Sequence, residues 1–82
     1  MRKKTMKLVI TFHTTTQAIA MEEFCQKEEL PGRLIPLPGV VSAGCGLCWC
    51  TLPEKEKVLE TKMKRQKIEF DQIYHVMLYI EY

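Results

Sequence analysis

Hydrophobic positions recur with two different spacings along the chain. Runs of β-branched, aromatic and other apolar residues predict strands over residues 6–12, 33–37, 45–50 and 72–81. Apolar residues three or four positions apart, such as Ala18, Met21 and Cys25, predict helices over residues 17–29 and 53–66. The predicted order is β-α-β-β-α-β, which is that of the ferredoxin-like fold in the α+β class, a four-stranded antiparallel sheet with two helices on one face.

Polar residues mark where the two predicted helices begin. The hydroxyl-rich segment 13–16 supplies caps for the first helix. Residues 51–54 (Thr-Leu-Pro-Glu) match a capping box with proline in the first turn, which predicts that Thr51 caps the second helix. The apolar stripe predicted for that second helix consists of Val58, Leu59 and Met63.

The last predicted strand has two sets of side chains that alternate between its faces. These sets are Tyr74, Val76, Leu78 and Ile80 on one face and Ile73, His75, Met77 and Tyr79 on the other. We expect His75, Met77 and Tyr79 to lie on the sheet face that carries no helices. An open, partly apolar face of this kind suits a homodimer interface or the docking of a partner protein.

The composition limits the classes of function that the chain can have. Its 82 residues are expected to form one domain over residues 1–82, and a net charge of +2 with interspersed lysines and glutamates gives no basic stripe for nucleic acid. No apolar run approaches the roughly 18 residues that cross a membrane, and the basic start lacks the apolar core of a signal peptide. We therefore expect a cytoplasmic, reducing location, where cysteines are free, catalytic or metal-bound.

Cysteine is concentrated in residues 42–50, which hold three of the four cysteines and the single tryptophan. Cys45 stands between Gly44 and Gly46, which give the sulfur little steric cover and allow backbone amides to approach it. These flanking glycines predict a reactive thiol at Cys45. The structural alternative is a small core residue beside a glycine bend.

Two other side chains are candidates to support Cys45. Arg33, in the preceding strand, is the nearest plausible cation and would stabilise a thiolate or a bound anion if the two strands pair. His13 follows the first strand and is either a base or ligand near Cys45, or a capping or solvent-facing histidine.

Cys48 and Cys50 leave two further interpretations open. Cys45 and Cys48 form a Cys-x-x-Cys, but in a regular strand they point to opposite faces with Cα atoms roughly 10 Å apart, too far for a disulfide unless Gly46 bends the chain. Cys48 and Cys50 share a face, so Cys45, Cys48 and Cys50 with a histidine, His13 or His75, are a conceivable zinc-ligand set. The alternative function is thus a non-enzymatic metal-binding or protein-interaction module. Otherwise Cys48 and Cys50 are small apolar strand residues.

Three segments of the chain resemble one known family. Residues 10–15, residues 32–38 and above all residues 42–47 (Ser-Ala-Gly-Cys-Gly-Leu) resemble the selenium/sulfur carrier-like proteins, a family of small bacterial domains. The resemblance extends over essentially the whole chain, and it implies a carrier rather than a turnover enzyme, with Cys45 as the motif cysteine. Cys48 and Cys50 depart from the family pattern.

The function expected from this resemblance is transfer of sulfur or selenium between proteins. Cys45 would accept the atom from a donor resembling a cysteine desulfurase, hold it as a persulfide or selenopersulfide, and pass it to an acceptor protein by thiol exchange. No cofactor is expected. The residues predicted to support Cys45 are Arg33, Ser42, Gly44, Gly46, His13 and Cys48.

Overall fold

A computed structural model describes residues 3–39, 41 and 45–79, and it confirms the predicted α+β, ferredoxin-like arrangement. One antiparallel sheet has the strand order β2-β3-β1-β4, in which the strands are β1 (Thr5–Thr11), β2 (Arg33–Pro36), β3 (Leu47–Thr51) and β4 (Ile73–Leu78). Helix α1 (Thr15–Lys27) connects β1 to β2, and a turn of 3-10 helix (Pro53–Lys55) leads into α2 (Glu56–Gln66). Neither of the described helices is long and apolar enough to cross a membrane.

Strand β1 is central because it can bury both of its faces. Leu8, Ile10 and Phe12 pack in a cluster with residues of both helices, whereas Val9 packs in a second cluster on the other side of the sheet. All four of these side chains have no exposed surface. A strand covered on both sides needs a nearly continuous apolar run, which is the pattern that predicted it.

Helix α1 begins with the kind of cap that the hydroxyl-rich segment predicted. The Thr14 hydroxyl accepts a hydrogen bond from the Gln17 backbone N–H at 3.1 Å, so the helix starts two residues earlier than expected. Ala18, Met21 and Cys25 are fully buried, which confirms the predicted apolar stripe.

The capping box predicted at residues 51–54 is wrong. Thr51 is the last residue of β3, and its hydroxyl donates to the Pro31 carbonyl at 2.7 Å instead of capping a helix. Pro53 therefore starts a 3-10 turn, and α2 begins at Glu56 with no side-chain cap. Leu59 and Met63 are buried as predicted, but Val58 is 40% exposed because it lies about 100° around the helix from Leu59.

The faces assigned to the last strand are also wrong. Leu8 pairs with His75 and Val9 pairs with Tyr74, and Leu8 points towards the helices. His75 and Met77 therefore lie on the helix side of the sheet. The two alternating sets of β4 are similarly apolar, so only the pairing with β1 decides which set meets the helices.

Tyr79, the third residue expected on the helix-free face, lies beyond the end of β4. Its ring centre is 5.4 Å from the Lys4 ammonium group, a cation–π contact at the opposite end of the sheet from the start of β3.

The helix-free face is less open than predicted. Its centre, made of Val9, Cys48 and Cys50, has no exposed surface, and Leu37 from the β2–β3 connection packs against this centre. The flanking side chains from β4 are half-buried, namely Tyr74, Val76 and Leu78. A homodimer formed through this face stays a prediction.

Candidate functional site

Residues 45–47 lie at the edge of the sheet where β1 ends. Thr11, the last residue of β1, pairs with Cys48 of β3, so the residues just before β3 lie at this edge. The Leu37 backbone N–H donates to the Gly46 carbonyl at 3.0 Å. This hydrogen bond attaches the segment just before β3 to the end of β2.

Gly46 makes the bend that precedes β3. Its φ of 79° lies in the left-handed region that glycine adopts without strain, and a Cβ placed there would meet nothing within 4 Å. The space beside this residue is therefore open. The strand was predicted to start at residue 45. This prediction is wrong, because the bend at Gly46 interrupts the extended chain and β3 begins only at Leu47.

Cys45 is the one cysteine of the four that has solvent access. It is partly exposed, whereas the side chains of Cys25, Cys48 and Cys50 have no exposed surface. Its thiol donates to the Leu47 carbonyl at 3.4 Å, and its buried side packs against the helix-side core. A cysteine that is partly exposed and also held by the core suits an exchange reaction with a second protein.

The buried thiols have the opposite character. Burial raises the pKa of Cys25 to about 12. Burial also raises the pKa of Cys48 to about 12, with smaller contributions from the neighbouring Cys50 and Cys45. Because the thiolate is the nucleophile, both groups are unreactive at neutral pH.

The structure separates the two cysteines of the Cys-x-x-Cys motif. Cys45 packs with the helix-side cluster and Cys48 belongs to the cluster on the helix-free side, as strand alternation predicted. All four cysteines are free. Cys48 and Cys50 share the helix-free face, which is also as predicted.

The structure does not bring Cys45, Cys48 and Cys50 together as a metal-ligand set. Within the part of the chain that it describes, no three His, Cys, Asp or Glu side chains are arranged to hold a metal ion. The two conceivable histidine partners contact carboxylates instead: His13 Nε2 is 3.5 Å from Asp71, and His75 Nε2 is 2.8 Å from Glu56.

Arg33 lies at the other end of the β2–β3 ladder from Cys45. The two strands pair as expected, but Arg33 is opposite Cys50 and Pro36 is opposite Leu47. Three residues of strand, about 10 Å, thus separate the backbone of Arg33 from the level of Leu47, and Cys45 lies beyond that level. In an antiparallel pair, the last residues of β2 meet the first residues of β3, so a cation at the start of β2 is placed far from the bend.

His13 lies at the same sheet edge as Cys45 but is directed towards β4. Its backbone N–H donates to the Gln17 side chain at 2.9 Å, and its imidazole is beside Asp71, which precedes β4. Strand β3 lies on the opposite side of β1. The described contacts therefore make His13 part of the β1–α1 turn.

Two of the predicted supporting residues, Ser42 and Gly44, lie outside the described residues. Sequence reasoning missed the backbone groups that hold the bend, namely the Leu47 carbonyl and the Leu37 N–H. No sequence signal marks them, because every residue has a carbonyl and nearly every residue has an N–H.

Trp49, in the middle of β3, is buried in the core. It is 2% exposed and belongs to the helix-side cluster. Gly32 packs directly on it: a Cβ at Gly32 would lie 2.7 Å from both the indole Nε1 and the Cys50 carbonyl. The second half of β3 is thus held by close packing, whereas the first half follows an uncrowded bend.

Comparison with known proteins assigns the chain to a family. The sequence profile of a family described as "Putative Se/S carrier protein-like" matches residues 7–75, a span that includes Cys45 and all four strands in whole or in part. Neither the curated proteins nor the solved structures gave a significant match. Since the profile covers most of the 82 residues, the chain belongs to the Se/S carrier protein-like family.

Proposed function

We propose that this protein carries sulfur or selenium between proteins as a persulfide or selenopersulfide on Cys45. The observation that supports this proposal most strongly is the difference in access among the cysteines. Cys45 is partly exposed beside the open bend at Gly46, and the other three thiols are fully buried. A carrier needs one sulfur atom that two successive partners can reach, and the partial exposure of Cys45 supports its choice for that role.

Loading is an exchange of one sulfur–sulfur bond for another. The Cys45 thiol loses its proton to solvent, and the thiolate attacks the terminal sulfur of a persulfide on the donor protein. A bond forms between that sulfur and Sγ of Cys45, the bond to the donor cysteine breaks, and the donor leaves as a thiolate. The total oxidation state of the sulfur atoms does not change, so no external oxidant or cofactor is required. Selenium is loaded by the same steps when the terminal atom is selenium.

Delivery repeats the exchange with an acceptor protein. A nucleophile of the acceptor attacks the terminal atom, and Cys45 leaves as a thiolate that is ready for another cycle. We place the donor and the acceptor in a reducing, cytoplasmic setting, which keeps an exposed thiol from being locked in a disulfide. The donor has the chemistry of a cysteine desulfurase, which forms a persulfide on its own cysteine.

The function is tested by intact-mass measurement after incubation with a cysteine desulfurase and cysteine. We expect the wild-type chain to gain the mass of one sulfur atom, which a reductant then removes. Cys45→Ser should gain none, because its hydroxyl does not attack a persulfide. Cys48→Ala is the matched control, since it removes a buried thiol from the same segment, and it should load like the wild type.

Two results would contradict the proposal. One is a wild-type chain that gains no sulfur, and the other is a Cys45→Ser chain that gains as much as the wild type. Repeating the measurement with selenocysteine in place of cysteine then shows which of the two atoms Cys45 accepts faster.

A further inference from the structure

A groove opens at the C-terminal end of α2, on the helix side of the sheet. Its volume is about 300 Å³, and the apolar part of its lining, which we call the floor, consists of Met63, Ile68, Phe70 and Ile73. Phe70 is 39% exposed, although an aromatic side chain gains more by burial. The groove is large enough for one bulky apolar side chain and is at the small end of the range for ligand sites.

The charged part of the lining, which we call the rim, has a net positive charge. It includes two lysines, Lys64 and Lys67, and one carboxylate, that of Glu60. Neither lysine takes part in an ion pair with another described residue. An occupant that places carboxylates beside an apolar side chain would complement both the floor and the rim.

The groove and Cys45 lie at the same edge of the sheet. Thr11 pairs with Cys48 on one side and accepts a hydrogen bond from the Asp71 backbone N–H at 2.7 Å on the other. The starts of β3 and β4 are thus about 10 Å apart across β1.

The groove and Cys45 also share the helix side of the sheet. Ile68 and Ile73 from the groove and Cys45 all pack against the same core cluster. A second hollow, lined in part by Thr16 and Gln17 at the start of α1, shares Lys67 and Ile68 with the groove, and Glu69 adds a carboxylate to its lining.

We propose that the groove is the docking site for the sulfur donor protein, which inserts an apolar side chain flanked by carboxylates while Cys45 attacks the donor persulfide. This inference rests on the proposed carrier function. A standard protein interface covers about 800 Å² of each partner, a patch about 30 Å across, so one donor surface spans the groove and Cys45 together.

The test compares two sulfur sources, a persulfidated cysteine desulfurase and inorganic polysulfide. The variants are Lys64→Glu/Lys67→Glu, which reverses the charge of the rim, and Phe70→Ala, which removes an aromatic ring from the floor. We expect each to lower kcat/KM for transfer from the desulfurase at least about tenfold, the size of effect typical of an interface anchor. Loading from polysulfide needs no docking and should stay within about twofold of the wild-type rate. Addition of a single sulfur atom verifies that the other three thiols stay buried and that the variants are folded.

The matched control is Lys55→Glu/Lys57→Glu, which makes the same change in net charge at the opposite end of α2. We expect it to accept sulfur from the desulfurase like the wild type. Equal losses in this control and in the Lys64→Glu/Lys67→Glu chain would overturn the docking site, because they would show a dependence on net charge alone. Undiminished transfer to the Lys64→Glu/Lys67→Glu and Phe70→Ala chains would overturn it too.

Two further results separate this inference from its rivals. A wild-type chain that accepts sulfur from neither source would overturn the carrier function, and the docking site with it. A wild-type dimer that becomes monomeric in the Lys64→Glu/Lys67→Glu chain, measured by light scattering, would overturn the inference by assigning the groove to a second copy of the protein.

Discussion

Cys45 and Cys48 are three positions apart, one before β3 and one within it, and their thiols have different surroundings. Cys45 is partly exposed next to a bend whose space is open. Cys48 has no exposed surface, and burial raises its pKa to about 12. The same residue type is therefore a candidate nucleophile at one position and an unreactive core group at the other.

The difference between the two positions comes from the backbone. A regular strand from residue 45 onwards would keep Cys45 in the β2–β3 ladder, where neighbouring strands restrict access. The positive φ of Gly46 takes Cys45 out of that ladder, while Cys48 pairs with both Thr11 and Ile35. Access to a thiol in this segment is decided by where the strand begins, and not by the density of cysteines.

The largest expected effect is a difference in alkylation rate. At pH 8, a thiol with a pKa of about 12 is ionised to about one part in ten thousand, and burial also excludes the reagent. We expect a water-soluble iodoacetamide to modify Cys45 at least about a thousandfold faster than Cys25, Cys48 or Cys50 in the native protein. Peptide mass mapping over time measures the four rates, and labelling in urea verifies that all four thiols can react. Modification of Cys48 at a rate close to that of Cys45 would contradict the difference in access between the two thiols.

The next effect concerns the packing that holds the buried half of β3. Gly32→Ala places a Cβ 2.7 Å from the Trp49 indole and from the Cys50 carbonyl, at a φ of 129°. We expect a loss of about 3 kcal/mol in the free energy of unfolding, from overpacking and from the unfavourable backbone conformation together. Urea denaturation followed by tryptophan fluorescence measures it.

Gly46→Ala is the matched control for this packing effect. It has a positive φ as well, but its Cβ meets nothing within 4 Å. We therefore expect a loss of only about 1 to 2 kcal/mol in the free energy of unfolding, from the backbone strain alone. A similar loss at the two glycines would show that the conformation, and not the contact with Trp49, limits residue 32.

The last effect is a pH dependence of stability that the buried thiol of Cys48 causes, and it is smallest per pH unit near pH 9. Its pKa is raised, so the unfolded chain loses this proton near pH 9 while the native chain keeps it until about pH 12. The stability from the protonated thiol is complete below pH 9 and declines as the pH rises from 9 to 12, with a slope of up to about 1.4 kcal/mol per pH unit.

The measurement is the free energy of unfolding at several pH values between 8 and 11. Cys48→Ala should show a shallower decline than the wild type, because it removes one such thiol. Val9→Ala truncates another side chain of the same cluster without removing a thiol, so it should be less stable but keep the wild-type slope. Equal slopes in the wild type and Cys48→Ala would indicate that Cys48 ionises as readily in the native state as in the unfolded state.

Much of the fold was predictable because local patterns and packing agree. The apolar run of β1, the threonine cap of α1 and the stripe of Ala18, Met21 and Cys25 each depend on neighbouring residues. The prediction failed for Thr51, because its hydroxyl can either cap a helix or donate to a carbonyl elsewhere in the fold. In the structure it donates to the Pro31 carbonyl. It failed for β4 because two similarly apolar faces carry no local sign of which one meets the helices.

At the candidate site, strand alternation alone predicted the opposite face for Cys48 and Cys50, because alternation is a local property. The reactivity that the glycine neighbours predict for Cys45 stays a prediction. The sequence could not place Arg33 opposite Cys50 or direct His13 to Asp71, because strand register and side-chain direction depend on partners far along the chain. Nor could it show that three thiols are buried and one is accessible. Burial is a property of the assembled sheet and helices, and it is this property that distinguishes Cys45 from the other cysteines.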